Sequence, residues 1–165
     1  MTRHAYIRRC AAWADGPTDA PTLRARLLAP TPAPPPPCPV APVRPASFTA
    51  RAWRRTSRLT RIAITLTERL LPPTFDPEEV GLVWGTGIGE IVPTRRFLDR
   101  LFDEGPERAS PSAFQNSVYN APAGHISIGF GLQGPSETVS AGGALQRCGL
   151  MFLRCLCVCV RHASV

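Results

Sequence analysis

The sequence contains no lysine, so all 19 of its basic residues are arginine. It also lacks an apolar run of the roughly 20 residues that a membrane-spanning helix needs. The apolar stretch near its carboxyl end, residues 155–160, is short and lies between Arg154 and Arg161. No C-x-x-C pair occurs among the six cysteines, and aromatic residues make up only 7% of the chain. These absences argue against a membrane protein, a zinc knuckle and an aromatic nucleic-acid platform.

Proline and glycine, by contrast, are abundant, with 19 and 13 residues respectively. Nine of the prolines fall between Pro30 and Pro45, which predicts a Pro-rich linker over residues 30–46. The use of arginine without lysine, together with many Ala, Pro and Gly residues, favours a GC-rich bacterial genome. The amino-terminal residues lack the apolar core of a signal peptide. With free thiols, this predicts a cytoplasmic protein.

Charge is unevenly distributed along the chain. Residues 1–61 carry 11 arginines against two aspartates, a net charge of +9, whereas residues 62–165 carry eight arginines against ten acids, a net charge of −2. The basic half is therefore the expected electrostatic contact surface. No zinc-finger spacing, helix-turn-helix signal or aromatic repeat accompanies it, so we expect no nucleic-acid partner.

Hydrophobic periodicity predicts alternating helices and strands. A helix is expected over Trp53–Leu71, where Leu59, Ile62, Ala63, Leu66 and Leu70 share one face and two prolines follow. The arginines of this helix are expected on its solvated faces. The other predicted elements are strands at Ala5–Trp13, Val80–Trp84 and Glu137–Ser140, a short helix or turn at Asp19–Leu28, and a helix at Pro93–Glu104 that ends at Gly105.

A glycine-rich turn, Gly85-Thr86-Gly87-Ile88-Gly89-Glu90, follows the Val80–Trp84 strand. A dinucleotide-binding turn would need a third glycine at position 90, and Glu90 there would repel a pyrophosphate. We therefore expect neither a Rossmann site nor any other cofactor. The glycines are expected to serve close backbone approach.

The stretch from Ser110 to Gly143 is the most distinctive part of the chain. Ser110 can cap a helix that begins with Pro111, and Pro122 can begin the next. Small residues in that second helix would let it lie close to another backbone, with Ile126, Ile128 and Phe130 filling the gaps. The positions that carry a recognisable pattern are Ser117, Val118, Asn120, Ala123, Gly124, Ser127, Ile128, Gly131, Leu132, Gly134 and Pro135.

This pattern resembles the β-ketoacyl synthases of the thiolase superfamily, in which it precedes a short strand and the catalytic cysteine. The resemblance puts Gly143 in the nucleophile's slot, so no catalytic residue is expected. In this respect the chain is most similar to ketosynthase-like domains of the chain-length-factor type. Ser117, Asn120, Gly124, Gly131, Gly134 and Pro135 are then motif and packing residues.

Other residues are poor substitutes for the missing nucleophile and its partners. Cys148 lies five residues past Gly143, roughly 7.5 Å along a helix. The family also uses histidines from the second half of its subunit, and neither His125, expected to be structural, nor His162 matches them. A metal site is a further alternative, and its ligands would be Cys148, Cys155, Cys157, Cys159 and His162. These residues lack paired C-x-x-C spacing, so no metal is expected.

The resemblance implies an α/β thiolase-like fold, represented by its N-terminal half as a layered sheet with packed helices. We expect Val80–Trp84 and Glu137–Ser140 to be neighbouring strands of this sheet, with the helices at 53–71 and 93–104 packed on it. We divide the chain into a degenerate start at 1–29, the linker at 30–46, a ketosynthase-like core at 47–144 and an atypical Cys-rich tail at 145–165. The tail is expected to be an exposed apolar end left by truncation or a shifted reading frame.

Three functions remain open. The first is a non-catalytic ketosynthase-like protein of fatty-acid or polyketide synthesis that pairs with a ketosynthase, with an acidic acyl carrier protein as the other implied partner. The second is an active condensing subunit, which would perform acyl transfer and decarboxylative condensation. The third is a small basic interaction protein.

Overall fold

The computed structural model describes residues 41–140 in full and, outside that range, the backbone of three strands and the isolated helical positions Pro21 and Ala25. The strands are β1 (Ala5–Trp13), β2 (Pro17–Asp19), β3 (Val80–Gly85), β4 (Ser136–Val139) and β5 (Cys155–His162). The helices are α1 (Ala50–Arg55), α2 (Arg58–Leu70), α3 (Ile91–Glu104), α4 (Pro111–Gln115) and α5 (Ala121–Phe130), with a 3-10 turn at Pro106–Arg108. Most of the predicted Asp19–Leu28 helix or turn lies outside the described residues.

The five strands form one mixed sheet in the order β2-β1-β5-β3-β4. β3 and β4 are parallel neighbours, with Leu82 opposite Ser136 and Gly85 opposite Val139. This confirms the predicted pairing of these two strands and the mixed helix-and-sheet architecture. β4 is the edge of the sheet on this side, and its residues are mostly exposed.

The carboxyl-terminal strand β5 corrects one prediction. The backbone of β5 pairs antiparallel with β1 on one side and with β3 on the other. The tail therefore contributes a central strand and not a loose end. Its valines are residues of high strand propensity.

The predicted helix over Trp53–Leu71 is broken into α1 and α2. The Thr56 hydroxyl donates to the Trp53 carbonyl at 2.7 Å, and the Ser57 hydroxyl accepts from the Thr60 amide at 2.9 Å. Ser57 thereby caps α2, since hydroxyl side chains at this position satisfy an amide that has no partner in the first turn. The guanidinium of Arg61 lies 5.5 Å from the Trp53 ring and holds the two helices together across the break.

α2 is also more buried than an amphipathic helix would be. Every residue from Ile62 to Thr67 is buried, and the helix contacts β1, β5 and α5. Its threonines can be buried because Thr65 and Thr67 donate to the carbonyls of Arg61 and Ala63, both at 2.9 Å. The rest of the core comes mainly from Leu82 and Trp84 of β3, Ala123 and Ile126 of α5, and Phe48.

The prediction that the helix at 93–104 packs on the sheet is wrong. α3 has no buried residue, and Phe102 on its surface is 81% exposed. Its contacts are with α4 and the 3-10 turn, including an aromatic pair between Phe97 and Phe114 at 5.6 Å. An apolar face can form such a local hairpin of helices without reaching the sheet.

The end of the Pro-rich segment is anchored to the core. The Pro45 side chain is fully buried, and its carbonyl accepts from the Phe48 amide at 3.1 Å. Val43 adds a carbonyl that accepts from the Thr65 hydroxyl at 3.0 Å. No helix in the part of the chain described here is long and apolar enough to cross a membrane.

Candidate functional site

The carboxyl ends of β3 and β4 lie side by side at the same end of the sheet because the two strands are parallel. There the Thr86 amide donates to the Val139 carbonyl at 3.0 Å, which joins the glycine turn to the end of β4. Gly143, in the expected nucleophile slot, lies shortly beyond this point and outside the described residues. Val139, the last residue of β4, comes four residues before Gly143 in the sequence.

The glycine turn after β3 is closed by its own threonine. Thr86 is 1% exposed, and its hydroxyl oxygen accepts from the Gly89 amide at 3.0 Å. The same turn presents Ile88, which is 68% exposed. A rigid turn thus presents an apolar side chain at the edge of the sheet.

A groove of about 430 Å³ runs between α5 and β4. Its lining comprises Asn120, Ala123, Gly124, Ser127 and Ile128 from α5, and Ser136 and Thr138 from β4. The lining includes the hydroxyls of Ser127, Ser136 and Thr138 but no thiol, imidazole, carboxyl or amine. Its small side chains leave room for another backbone to approach closely. Ile128 is 81% exposed here, so the prediction that it fills a gap within the chain is wrong.

The six predicted motif residues have separate structural roles. Asn120 and Gly124 line the groove. The backbone carbonyl of Ser117, just after α4, accepts a hydrogen bond from the Thr94 hydroxyl of α3 at 2.7 Å. Gly131 ends α5 with a φ of +69°, a left-handed conformation that favours glycine. The structure therefore brings only two of the six to one surface.

Gly134 and Pro135 set the position of β4 against β3. The Pro135 carbonyl accepts from the Leu82 amide at 2.8 Å. A β-carbon on Gly134 would lie 2.6 Å from the carbonyl carbon of Val80 and 2.8 Å from the amide nitrogen of Gly81. Only glycine allows the two backbones to approach this closely.

A buried carboxyl near the start of α2 was not found by the sequence analysis. Glu90 is 3% exposed and accepts from the hydroxyls of Ser57 at 2.5 Å and Thr60 at 2.8 Å. Burial raises the pKa of the Glu90 carboxyl above its ordinary value of 4.5, and the hydrogen bonds from Ser57 and Thr60 lower it in part. The signal in the sequence was a glutamate at position 90, where a dinucleotide-binding turn would have glycine. We used it only to reject a dinucleotide site.

We expect Glu90 to make the stability of the chain pH-dependent. Because its folded pKa lies above the unfolded one, its contribution favours the folded state below the unfolded pKa and is lost as pH rises through the folded pKa. Denaturant unfolding of Glu90→Gln should show a smaller stability gain on acidification than the wild type. Glu90→Ala should cost about 1–3 kcal/mol, since the buried Thr60 hydroxyl and the half-buried Ser57 hydroxyl lose their acceptor. The exposed Glu68→Gln is the charge-matched control, and a Glu90→Gln profile parallel to the wild type would contradict this assignment.

His125 links three helices. Its Nε2 lies 3.1 Å from Oδ1 of Asn116, whose amide nitrogen donates to the carbonyls of Arg55 at 3.1 Å and Ser112 at 3.0 Å. Since Oδ1 is the acceptor, Nε2 of His125 carries the proton and donates. Burial lowers the pKa of His125, which favours this neutral form. His125 is thus a structural side chain, as expected from the sequence.

The side chains that were considered and rejected as metal ligands lie outside the described residues. Cys148 lies outside the described residues, and only the backbone is described for Cys155, Cys157, Cys159 and His162. Within the described residues, no group of three or more His, Cys, Asp or Glu side chains is arranged to hold a metal ion.

Three comparisons with known proteins each found a similarity. Residues 30–152 match the family model for the β-ketoacyl synthase N-terminal domain. Over 77 residues, 46% of this chain, the sequence is 32% identical to 3-oxoacyl-[acyl-carrier-protein] synthase 2 of Synechocystis sp., and the match spans 18% of that relative. The fold is similar to a chain in the structure of the ketosynthase ApeO in complex with its chain length factor ApeC from Xenorhabdus doucetiae. That likeness has a TM-score of 0.59 and 18% identity, and covers 99% of this chain and 80% of the other.

Proposed function

The chain belongs to the β-ketoacyl synthase N-terminal domain family, and from that premise we propose that it is a non-catalytic ketosynthase-like subunit that pairs with a ketosynthase. The observation that carries the proposal is Gly143 in the nucleophile's slot, within a sequence that otherwise keeps the family's pattern. A glycine has no side chain to attack a thioester, whereas covalent catalysis requires an activated nucleophile.

Pairing is supported by the exposed surface that α5 and β4 form. The groove between α5 and β4 is neutral and lined by small side chains, and β4 lies at the edge of the sheet with Val139 50% exposed. An unpaired strand edge beside an open groove is a surface that another backbone can extend. We assign the ketosynthase partner to this surface.

An acyl carrier protein is the second proposed partner. Four exposed arginines lie on α1 and at the first residue of α2, at positions 51, 54, 55 and 58. An acidic carrier protein would be attracted to such a surface, since a local excess of one charge steers oppositely charged partners towards it. The role in fatty-acid or polyketide assembly, a bacterial source and a cytoplasmic location belong to the same proposal.

We expect no condensation product from this chain. The assay combines the purified protein with radiolabelled malonyl-loaded acyl carrier protein and an acyl-loaded carrier, and an active condensing enzyme serves as the positive control. Gly143→Cys should also give no product, because the histidines that the resemblance requires for decarboxylation are not among the matched residues. Product from the wild type above the no-enzyme blank would support the alternative of an active synthase subunit instead.

The third alternative, a small basic interaction protein unrelated to acyl chemistry, is disfavoured by the family match and by the β3, α5 and β4 core. Co-expression distinguishes it from the proposal. A non-catalytic subunit should co-purify with a ketosynthase such as the Synechocystis relative, and should fail to do so when β4 is altered. Co-purification that is lost only when the exposed arginines are replaced, and not when β4 is altered, would favour the basic interaction protein.

A further inference from the structure

A second groove, of about 520 Å³, lies between the α1–α2 junction, α3 and α4. Three arginines line it, Arg55 at the end of α1 and Arg96 and Arg100 on α3, and all three are exposed. Arg96 and Arg100 are four residues apart in a helix, so they lie on the same face. Cations from two separate helices therefore border one concavity.

The charges of this groove are not neutralised from within the described chain. Asp99 is the one acidic residue in its lining, and it pairs with Arg95 at 3.7 Å. No ion pair with Arg55, Arg96 or Arg100 is found in the part of the chain that the structure describes. The groove consequently carries an excess of positive charge.

The walls of the groove are held in place. Asn116 donates to the Arg55 carbonyl at 3.1 Å and the Ser112 carbonyl at 3.0 Å, which fixes the end of α1 to α4. The Phe97 and Phe114 rings, 5.6 Å apart, fix α3 to α4. The three elements thus present their arginines from a preorganised frame, which reduces the entropy that a ligand must overcome on binding.

From this geometry we propose that the groove binds a phosphate-bearing anion, and that Arg55, Arg96 and Arg100 are its ligands. Guanidinium groups bind phosphate oxygens through paired, charge-assisted hydrogen bonds. Three of them, with a single competing carboxylate, match a multiply charged phosphate better than a singly charged carboxylate. This inference does not rest on the proposed pairing with a ketosynthase, because none of the three arginines lines the α5–β4 groove, although Arg55 also belongs to the arginine surface proposed for a carrier protein.

Calorimetric titration of the full chain with inorganic pyrophosphate at constant ionic strength tests the proposal. We expect saturable binding that weakens about tenfold or more in Arg96→Ala/Arg100→Ala, since each loses charge-assisted hydrogen bonds. Arg96→Ala alone and its charge-matched control Arg69→Ala, at an exposed position outside the groove, each remove one positive charge, and only the control should bind within about twofold of the wild type. Asp99→Asn should bind severalfold more tightly, because it removes the competing carboxylate.

The opposite changes in the arginine and aspartate variants keep the test decisive even if one variant folds poorly, which circular dichroism would reveal. Acetate at matched ionic strength should bind far more weakly than pyrophosphate. The proposal is overturned by absent or non-saturable pyrophosphate binding, by equal binding of acetate, or by an Arg69→Ala loss as large as that of the double variant.

Discussion

Gly134→Ala is expected to destabilise the chain by about 3 kcal/mol or more, the upper range for forcing extra volume into a packed site. The new β-carbon would lie 2.6 Å from the Val80 carbonyl carbon and 2.8 Å from the Gly81 nitrogen. These are backbone atoms of β3, so the strand itself would have to move. That movement would also break the Leu82 to Pro135 hydrogen bond that sets the register of β4.

The matched control is Gly124→Ala on α5. A β-carbon there would meet no atom within 4 Å, and alanine is favoured over glycine in a helix by about 0.8–1.0 kcal/mol. Urea unfolding followed by circular dichroism should show a large loss for Gly134→Ala and a neutral or favourable change for Gly124→Ala. Equal stabilities of the two variants would show that β3 and β4 do not approach each other this closely.

The contrast between these glycines shows what the sequence can and cannot predict. Both belong to the pattern that suggested the family, but the pattern does not say that Gly134 lies against a strand and Gly124 faces an open groove. Strand and helix positions followed from periodicity and from Ser110, Pro111 and Pro122, because these signals are local. The placement of α3 away from the sheet could not be predicted in this way, because an apolar helix face does not indicate which element it packs against.

Two features depended on contacts distant in sequence. Glu90 lies 33 residues from Ser57, and their hydrogen bond adds a distant contact to the local capping at the break between α1 and α2. The central position of β5 required pairing with β1, at the other end of the chain. Periodicity within a segment carries no information about either, so both were missed. The nucleophile slot at Gly143 stays a prediction, because it depends only on counting along one motif of the sequence.

The edge strand β4 should drive self-association when no partner is supplied. The Leu82 amide bonds to Pro135 and the Thr86 amide to Val139, and in a parallel ladder alternate residues bond to the same neighbour. The backbone groups of Ser136 and Thr138 therefore point away from β3. Together with the exposed side chains of Ile128 and Val139, they form an edge that can pair with a second copy. We expect dimers or aggregates of the isolated chain by light scattering.

Thr138→Pro tests whether β4 is responsible for that association. Proline would remove an amide that points away from β3, so it should shift the chain strongly towards monomer while leaving the β3–β4 ladder in place. Thr138→Val keeps the amide and the β-branched shape, and should associate like the wild type. Circular dichroism establishes that both variants fold. A wild-type chain that is a stable, sharply unfolding monomer at micromolar concentration would contradict the expectation, and association unchanged by Thr138→Pro would place the contact on another surface, because β4 could no longer add a strand.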